Sequence, residues 1–160
     1  MLNIEKDVKI IVTDFDGVLT DGFVYFSSVS DEEIKKLSFK DIMGISIALK
    51  NGYKVAIISG EKNYIIDRLA AKFNLEDVHQ GIRDKFSVLR SISEKYNIPL
   101  SEICYIGDDI NDISALESAG VAVTVPDANY KVKKIPNILI STANSGNGVF
   151  REVIDSLLAR

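Results

Sequence analysis

The sequence is poor in the residues on which several classes of protein depend. Its 160 residues include one cysteine, Cys104, which excludes an internal disulfide and any metal site built from several cysteines. No run approaches the roughly 20 apolar residues of a membrane span, and the first residues, MLNIEKDVK, lack the apolar stretch of a secretory signal. A basic excess is also missing, since 23 acidic residues outnumber 19 lysines and arginines. We therefore expect a cytoplasmic protein that binds neither membranes nor nucleic acid.

Short apolar runs alternate with amphipathic segments along the chain. The apolar runs predict strands at Val8–Thr13, Lys54–Ile58, Val78, Ile103–Ile106, Val121–Val125 and Ile138–Ile140. Helical spacing predicts helices at Ile42–Asn51, Asn63–Phe73, Lys85–Tyr96, Ile113–Ala119, Ala128–Lys134 and Val149–Ala159. Such alternation predicts an α/β fold in which right-handed crossovers build a central parallel sheet.

One segment, Phe23–Lys40, interrupts this alternation. Its sequence, FVYFSSVSDEEIKKLSFK, has two β-prone arms, FVYFS and IKKLSFK, on either side of a polar turn. The pattern predicts a β-hairpin that protrudes from the main sheet and is too small to be a separate domain. We therefore predict a single domain over residues 1–160, with the hairpin as an insertion at about 23–40.

Acidic residues follow two of the predicted strands. Asp14 and Asp16 come directly after the first strand, in VTDFDG, and Asp108 and Asp109 follow Ile103–Ile106. Ligands of open α/β sheets bind beyond the carboxyl ends of the strands, so we expect these carboxylates to gather in one site. Because like charges raise one another's pKa, such a cluster needs a cation. Mg²⁺ suits it, since this ion takes a few carboxylates and keeps water and substrate phosphate as its other ligands.

The same strand ends offer the groups that phosphoryl transfer requires. One carboxylate can attack phosphorus to form an aspartyl-phosphate, while a second carboxyl protonates the leaving oxygen and later activates water. Ser59 and the Gly60 backbone precede a predicted helix and can bind phosphoryl oxygens. Lys85 can supply the positive charge that the transfer needs. Each motif alone is common in proteins without this chemistry, but their shared order and strand-end placement indicate an enzyme.

The sequence resembles the haloacid dehalogenase superfamily of phosphatases in four motifs, which are DFDGVLTDG, SG, a lysine and GDDIND. The resemblance covers nearly the whole chain and implies a three-layer Rossmann-like fold. By position, it implies that Asp14 is the nucleophile and Asp16 the general acid and base, while Ser59 and Lys85 bind the phosphoryl group. It also implies a Mg²⁺ ion held by Asp14, Asp108 and the backbone carbonyl of Asp16. The remaining polar residues of the last motif would support these ligands: Asp109, Asn111 and Asp112.

The chain resembles a small capless branch of that superfamily, whose members dephosphorylate phosphates of 2-keto-3-deoxy sugar acids. The features that carry this resemblance are GVLTDG, the hairpin after it and the lack of an inserted cap domain. The branch includes 3-deoxy-octulosonate 8-phosphate phosphatases, nine-carbon (deoxynonulosonate or sialic acid) 9-phosphate phosphatases and the phosphatase-like tail of animal acylneuraminate cytidylyltransferases. Its members are tetramers in which neighbours cover each active site. The resemblance thus implies a homotetramer with Phe23–Lys40 as a cap supplied in trans. It also implies that NSGNG approaches a neighbour's site, although Asn147 stands where octulosonate enzymes tend to have arginine.

Within that branch, the segment SGEKNYIIDRLAAK bears on the choice of substrate. Octulosonate 8-phosphate phosphatases commonly have SGRK and a small residue at the position of Lys72, whereas the nonulosonate type resembles SGEK with a lysine there. Glu61 would repel a nearby carboxylate but accept hydrogen bonds from hydroxyls, and Lys72 can pair with the carboxylate. We therefore expect Gly60, Glu61 and Lys72 to bind a nonulosonate 9-phosphate, with 3-deoxy-octulosonate 8-phosphate as the alternative.

Two further alternatives involve no phosphatase activity. A non-catalytic oligomerisation module, like the cytidylyltransferase tail, would be expected to have lost part of the catalytic set. A phosphate-receiving regulatory domain also pairs acidic residues with a lysine on a parallel sheet, but it lacks the DxDG found here. The set that distinguishes the enzyme from both is intact: Asp14, Asp16, Ser59, Lys85 and Asp108.

Overall fold

The computed structural model describes residues 1–159. Its strands are β1 (Ile10–Thr13), β2 (Tyr25–Phe26), β3 (Glu33–Ile34), β4 (Lys54–Ile58), β5 (Asp77–His79), β6 (Ile103–Ile106), β7 (Val121–Thr124) and β8 (Leu139–Ile140). Its α-helices are α1 (Phe39–Lys50), α2 (Tyr64–Phe73), α3 (Lys85–Tyr96), α4 (Ile113–Ser118) and α5 (Val149–Leu158). Within the described range, none of these helices is long and apolar enough to cross a membrane.

Six strands form one sheet in the order β5–β4–β1–β6–β7–β8, and every neighbouring pair is parallel. The central strand β1 is buried along its whole length, as expected for a parallel sheet with both faces covered. Thr13 at its end lies opposite Ile57 of β4 and Ile106 of β6. The three strands therefore finish at the same level, and the residues that follow them lie side by side.

The helices cover the sheet in two layers. The chain steps from β1 to β4 and β5 in one direction, then crosses back past β1 to β6 and β7 in the other. Right-handed crossovers that step in opposite directions put their helices on opposite faces. In agreement, α1 packs against α5, and α3 packs against α4. The predicted three-layer α/β fold is confirmed, and the reversal of direction beside β1 marks the edge where such sheets bind ligands.

The hairpin is shorter than predicted, and α1 begins earlier. The prediction assigns Phe23–Lys40 to the hairpin and starts the helix at Ile42, whereas the structure starts α1 at Phe39. The reason is a helix cap: the side chain of Ser38 accepts a hydrogen bond from the backbone N of Lys40. The two paired strands of the hairpin contain only two residues each.

The predicted helix at Ala128–Lys134 is wrong. Only Val132–Lys134 forms a helical turn, of the 3₁₀ type. The backbone N of Asn129 instead donates to the carbonyl of Asp108 at 2.9 Å. This contact ties the start of the segment to the loop after β6, and the chain forms a helical turn only from Val132 onward.

The hairpin presents apolar side chains to solvent. Phe26 is 79% exposed and Val29 94% exposed. A two-stranded hairpin of this length is marginal by itself in water, and a contiguous apolar patch of this kind is typical of an association surface. The exposed apolar residues of this hairpin surface are Phe23, Val24, Tyr25, Phe26, Val29 and Ile34.

Candidate active site

The loop after β1 begins on the sheet itself. The backbone N of Asp14 donates to the carbonyl of Ile106 at 2.8 Å, which extends the pairing of β1 and β6 by one residue. Asp14 is therefore held by the sheet rather than by a mobile loop. Asp16 lies in the bend that follows, at which Gly17 has a φ of 84°. A Cβ on Gly17 would lie 2.1 Å from Oδ2 of Asp108, so only glycine allows this loop to approach that carboxylate.

Lys85 is buried between two carboxylates at the start of α3. Its Nζ lies 2.9 Å from Oδ2 of Asp14 and 2.7 Å from Oδ1 of Asp112. Asp84 caps the helix by accepting a hydrogen bond from the backbone N of Ser87, which fixes where the helix and its first residue begin. Burial lowers the pKa of Lys85, but the charges of Asp14 and Asp112 outweigh it and raise that pKa. The ammonium group therefore remains charged.

Asp112 shapes the loop that carries Asp108. Its Oδ1 accepts hydrogen bonds from Lys85 and, at 2.8 Å, from the hydroxyl of Tyr105. Its Oδ2 accepts from the backbone N atoms of Asp108 and Asp109, at 3.1 and 3.2 Å. These donors fill the acceptor positions of a carboxylate, so Asp112 has none left to offer a metal ion.

Asp14 and Asp108 fit a divalent cation. One carboxylate oxygen from each of Asp14, Asp108 and Asp112 lies within 4.8 Å of the other two. Burial and then the charge of Asp112 raise the pKa of Asp14 well above its usual value, and the same two causes raise the pKa of Asp108 to about 7. Oδ1 of Asp108 is also buried without a hydrogen-bond partner. Since Asp112 is already occupied, Asp14 and Asp108 are the side chains that suit Mg²⁺.

The turn after β4 places the backbone of Ser59 and Gly60 at the same edge of the sheet. The backbone N of Ser59 donates to the carbonyl of His79 at 2.8 Å, so Ser59 extends the sheet as Asp14 does. Its buried hydroxyl donates to the carbonyl of Glu61 at 2.9 Å and accepts from the N of Glu61 at 3.2 Å. The hydroxyl thus holds the turn that brings Gly60 to the site.

These strand ends enclose a groove of about 270 Å³. The residues that line it are Asp14, Asp16, Gly17, Gly22, Gly60, Glu61, Asp108, Asp109 and Asn111. Ser59, Lys85 and Asp112 are buried behind these residues. Lys72, which the sequence analysis also assigns to the substrate, instead lines a separate groove of about 360 Å³ between the start of α1 and α2. Within one chain, the structure does not bring Lys72 to the site.

Lys35 is a site residue that the sequence analysis missed. It follows β3 of the hairpin, and its Nζ lies 2.8 Å from both carboxylate oxygens of Asp16 and 3.2 Å from Glu33. The hairpin therefore reaches the site of its own chain. The sequence does not distinguish Lys35 from its neighbour Lys36. In an extended segment, however, successive side chains point in opposite directions, so the side chain of Lys35 points toward the site and that of Lys36 away from it. Their side chains are 4% and 58% exposed.

Thr20 is a second missed residue, and it organises the loop between Asp16 and Gly22. Its buried hydroxyl donates to Oδ1 of Asp16 at 3.2 Å. The hydroxyl oxygen of Thr20 also accepts hydrogen bonds from the backbone N atoms of Gly17, at 3.3 Å, and Gly22, at 3.2 Å. One hydroxyl thereby ties both ends of the loop to the Asp16 carboxylate.

The NSGNG segment packs on the Asp16–Gly22 loop of its own chain. Gly146 donates its backbone N–H to the carbonyl of Val18 at 2.9 Å. It has a φ of 63°, and a Cβ there would lie 2.5 Å from the backbone N of Asp21. Two residues later, Gly148 donates to the buried carboxylate of Asp41 at 2.9 Å. The segment thus supports the loop from Asp16 to Gly22 from behind.

The chain is similar to known proteins in sequence and in fold. A family profile for haloacid dehalogenase-like hydrolases matches residues 70–153. The Escherichia coli 3-deoxy-D-manno-octulosonate 8-phosphate phosphatase KdsC is 32% identical over 96% of this chain and 80% of its own. The Moraxella catarrhalis phosphatase of the same name, in complex with magnesium, phosphate and KDO, superposes with a TM-score of 0.90 at 32% identity, over 96% of this chain and 87% of that one. The cobalt-bound Haemophilus influenzae octulosonate phosphatase superposes with a TM-score of 0.88 at 29% identity, over 96% and 88%.

Proposed function

The chain belongs to the haloacid dehalogenase-like hydrolases, and on that basis we propose that it is a single-domain, magnesium-dependent phosphatase of 2-keto-3-deoxy sugar-acid phosphates. One observation carries the proposal. The carboxylates of Asp14 and Asp108 converge on one groove from the ends of β1 and β6, with the Lys85 ammonium buried against Asp14. The arrangement supports Asp14 as the nucleophile, Asp14 and Asp108 as metal ligands and Lys85 as the fixed positive charge for a phosphoryl group in the groove.

The proposed reaction has two steps. First, a carboxylate oxygen of Asp14 attacks phosphorus, the bond from phosphorus to the sugar oxygen breaks, and Asp16 gives its proton to that oxygen. Second, the Asp16 carboxylate takes a proton from water as the water oxygen bonds to phosphorus. The bond from phosphorus to Asp14 then breaks, and inorganic phosphate leaves with both aspartates restored. Asp14, Asp108 and the backbone carbonyl of Asp16 would hold Mg²⁺, which when bound offsets the charge of the phosphoryl oxygens.

Glu61 supports a nonulosonate 9-phosphate as the substrate. It lines the groove next to Gly60, close to where the phosphate would bind. A carboxylate there disfavours a substrate whose own carboxylate comes near, and a nine-carbon chain keeps the carboxylate one carbon further from the phosphate than an eight-carbon chain does. The names of the Escherichia coli and Moraxella catarrhalis relatives favour 3-deoxy-D-manno-octulosonate 8-phosphate as the second candidate.

The first prediction compares these substrates. With Mg²⁺, we expect phosphate release from both, and a kcat/KM about 10-fold higher for the 9-phosphate, a difference in the range that single groups in a binding site provide. Chelation of the metal should abolish both activities. Phosphate assays with each compound, with and without EDTA, measure this. A preference for the 8-phosphate would select the second candidate, and no release from any sugar-acid phosphate would contradict the proposed function.

A double variant tests the residues behind the preference. Glu61→Arg with Lys72→Thr should move the ratio of kcat/KM values toward the 8-phosphate. Glu94→Arg on α3, whose side chain is 71% exposed, provides a matched charge reversal away from the groove and should leave the ratio unchanged. An unchanged ratio in the double variant would show that Glu61 and Lys72 do not select the substrate.

We also propose that the protein is a homotetramer joined through its hairpin surface. The exposed apolar side chains of that surface support this, because water contact with them is unfavourable. We expect light scattering to give the mass of four chains for the wild type and a smaller species for Phe26→Ser with Val29→Ser. Ile140→Ser, at an exposed residue of the edge strand β8, is the matched control and should remain a tetramer. A monomeric wild type would contradict the proposal.

A further inference from the structure

The two oxygens of the Asp16 carboxylate are held unequally. Oδ1 accepts from the ammonium of Lys35 at 2.8 Å and from the hydroxyl of Thr20 at 3.2 Å. Among residues 1–159, Oδ2 accepts from Lys35 alone, also at 2.8 Å. A carboxylate oxygen has roughly two positions that accept hydrogen bonds. Oδ1 is therefore filled, whereas Oδ2 keeps one position open.

Lys35 is itself anchored on both sides. Beyond Asp16 it pairs with Oε1 of Glu33 at 3.2 Å, and the same Glu33 oxygen accepts from the side chain of Asn63 at 3.3 Å. Asn63 caps the start of α2. A chain of polar contacts thus runs from α2 through the hairpin to Asp16. With its three donors directed at carboxylates and its side chain 4% exposed, Lys35 is a fixed group rather than a solvated surface lysine.

From this geometry we infer that Lys35 is the positioning residue for Asp16, and that it orients the carboxylate so that Oδ2 takes the proton from the water that hydrolyses the aspartyl-phosphate. The inference rests on the proposed function. In this step an O–H bond of water breaks and the proton goes to Oδ2. The water oxygen bonds to phosphorus as the bond from phosphorus to the Asp14 oxygen breaks, and the electron pair of that phosphorus–oxygen bond returns to Asp14. Without Lys35, the carboxylate keeps only the Thr20 contact and can rotate.

Loss of Lys35 should therefore slow the second step more than the first. The step that forms the aspartyl-phosphate needs little help from Asp16 when p-nitrophenol leaves, because p-nitrophenolate departs without a proton. The second step needs the Asp16 carboxylate whatever the leaving group. With p-nitrophenyl phosphate as the substrate, slow hydrolysis should make the aspartyl-phosphate accumulate on the protein.

The experiment uses p-nitrophenyl [³²P]phosphate with Mg²⁺ and measures kcat, KM and the fraction of acid-quenched protein that carries label. For Lys35→Met, which keeps the aliphatic chain, we expect kcat to fall about 10- to 100-fold, a part of what general base catalysis provides, while the labelled fraction rises. Lys35→Arg, which keeps the charge and the donors, should recover most of the rate. Lys50→Met, the same change at the exposed last residue of α1, is the matched control and should behave as the wild type.

Each other outcome decides against the inference. If kcat falls while the labelled fraction stays at the wild-type level, Lys35 serves the fold and not the second step. An unchanged kcat would also overturn the inference and leave the proposed function intact. If the wild type neither turns over p-nitrophenyl phosphate nor takes up label, the inference fails, while phosphate release from the sugar-acid phosphates decides the proposed function separately. If Lys35→Met does not fold, Lys35→Gln, which keeps donors without the charge, is measured in the same way.

Discussion

Asp14→Asn is expected to release no phosphate, with kcat at least about 10³-fold below that of the wild type, as for other nucleophiles of covalent catalysis. The amide has nearly the shape of the carboxylate, but its oxygen cannot form the aspartyl-phosphate. Acid quenching should trap labelled phosphate on wild-type protein and none on the variant. Peptide mapping of the wild type should place that label on Asp14.

Although Asp14→Asn should lose activity, its stability should rise or stay unchanged. Asp14 is a buried carboxylate beside Asp112, and burial and that neighbour both raise its pKa, so its ionised form costs folding free energy. The amide removes this cost, and Lys85 retains Asp112 as a partner. We expect the Tm of Asp14→Asn to equal or exceed that of the wild type. Asp7→Asn, the same change at a surface residue, should alter neither activity nor Tm. Full activity in Asp14→Asn would rule out Asp14 as the nucleophile.

Lys85→Met is expected to lose both activity and stability. Its ammonium is the buried partner of Asp14 and Asp112, at 2.9 and 2.7 Å. Removing one member of a buried ion pair typically costs about 3–5 kcal/mol, which corresponds to roughly 10 °C in Tm for a domain of this size. Thermal unfolding of metal-free protein measures the loss. Lys9→Met, at a half-exposed lysine that pairs only with surface Asp7, should change Tm little.

The stability loss in Lys85→Met should shrink at low pH. A carboxyl group whose pKa is raised by folding binds its proton more tightly in the folded state. Its contribution to stability therefore grows as the pH falls from the folded pKa to the ordinary value. The pKa of Asp14 is raised already in the wild type, and Lys85 opposes that rise. Without Lys85, the folded-state pKa of Asp14 should lie further above its ordinary value, so the variant gains more stability than the wild type as the pH falls. The Tm values of Lys85→Met and of the wild type should therefore converge toward acid pH. A constant difference across pH would show that lost packing, and not the unpaired carboxylates, causes the destabilisation.

The sequence predicts those parts of the site that adjoin regular elements. Apolar runs that end in Asp or Gly identify the strands, and the ends of parallel strands meet at one edge, so Asp14, Ser59 and Asp108 could be expected together. Helical spacing also predicts the helix at Lys85–Tyr96 with its correct bounds, and in the structure Asp84 caps its start. In each case the signal lies within a few residues of the functional group.

The sequence does not predict contacts made across long separations. Lys35 reaches Asp16 from the hairpin, and its neighbour Lys36 has the same charge and the same local surroundings in the sequence. The irregular start of the segment at Ala128 depends on a bond from Asn129 to Asp108 that no local pattern encodes. Hydrophobic periodicity predicts which side of a helix or strand is buried. It does not predict which distant group a polar residue contacts.

The bond from Gly146 to Val18 joins the Asp16–Gly22 loop to a segment near the other end of the sequence. All the acidic residues of the groove precede residue 110, yet the support for the loop that carries Asp16 comes from a segment more than a hundred positions later. A fragment that stops before Gly146 would contain the complete set of reacting groups without the backbone that packs behind them. Two stretches of chain that are distant in the sequence therefore meet behind the groove.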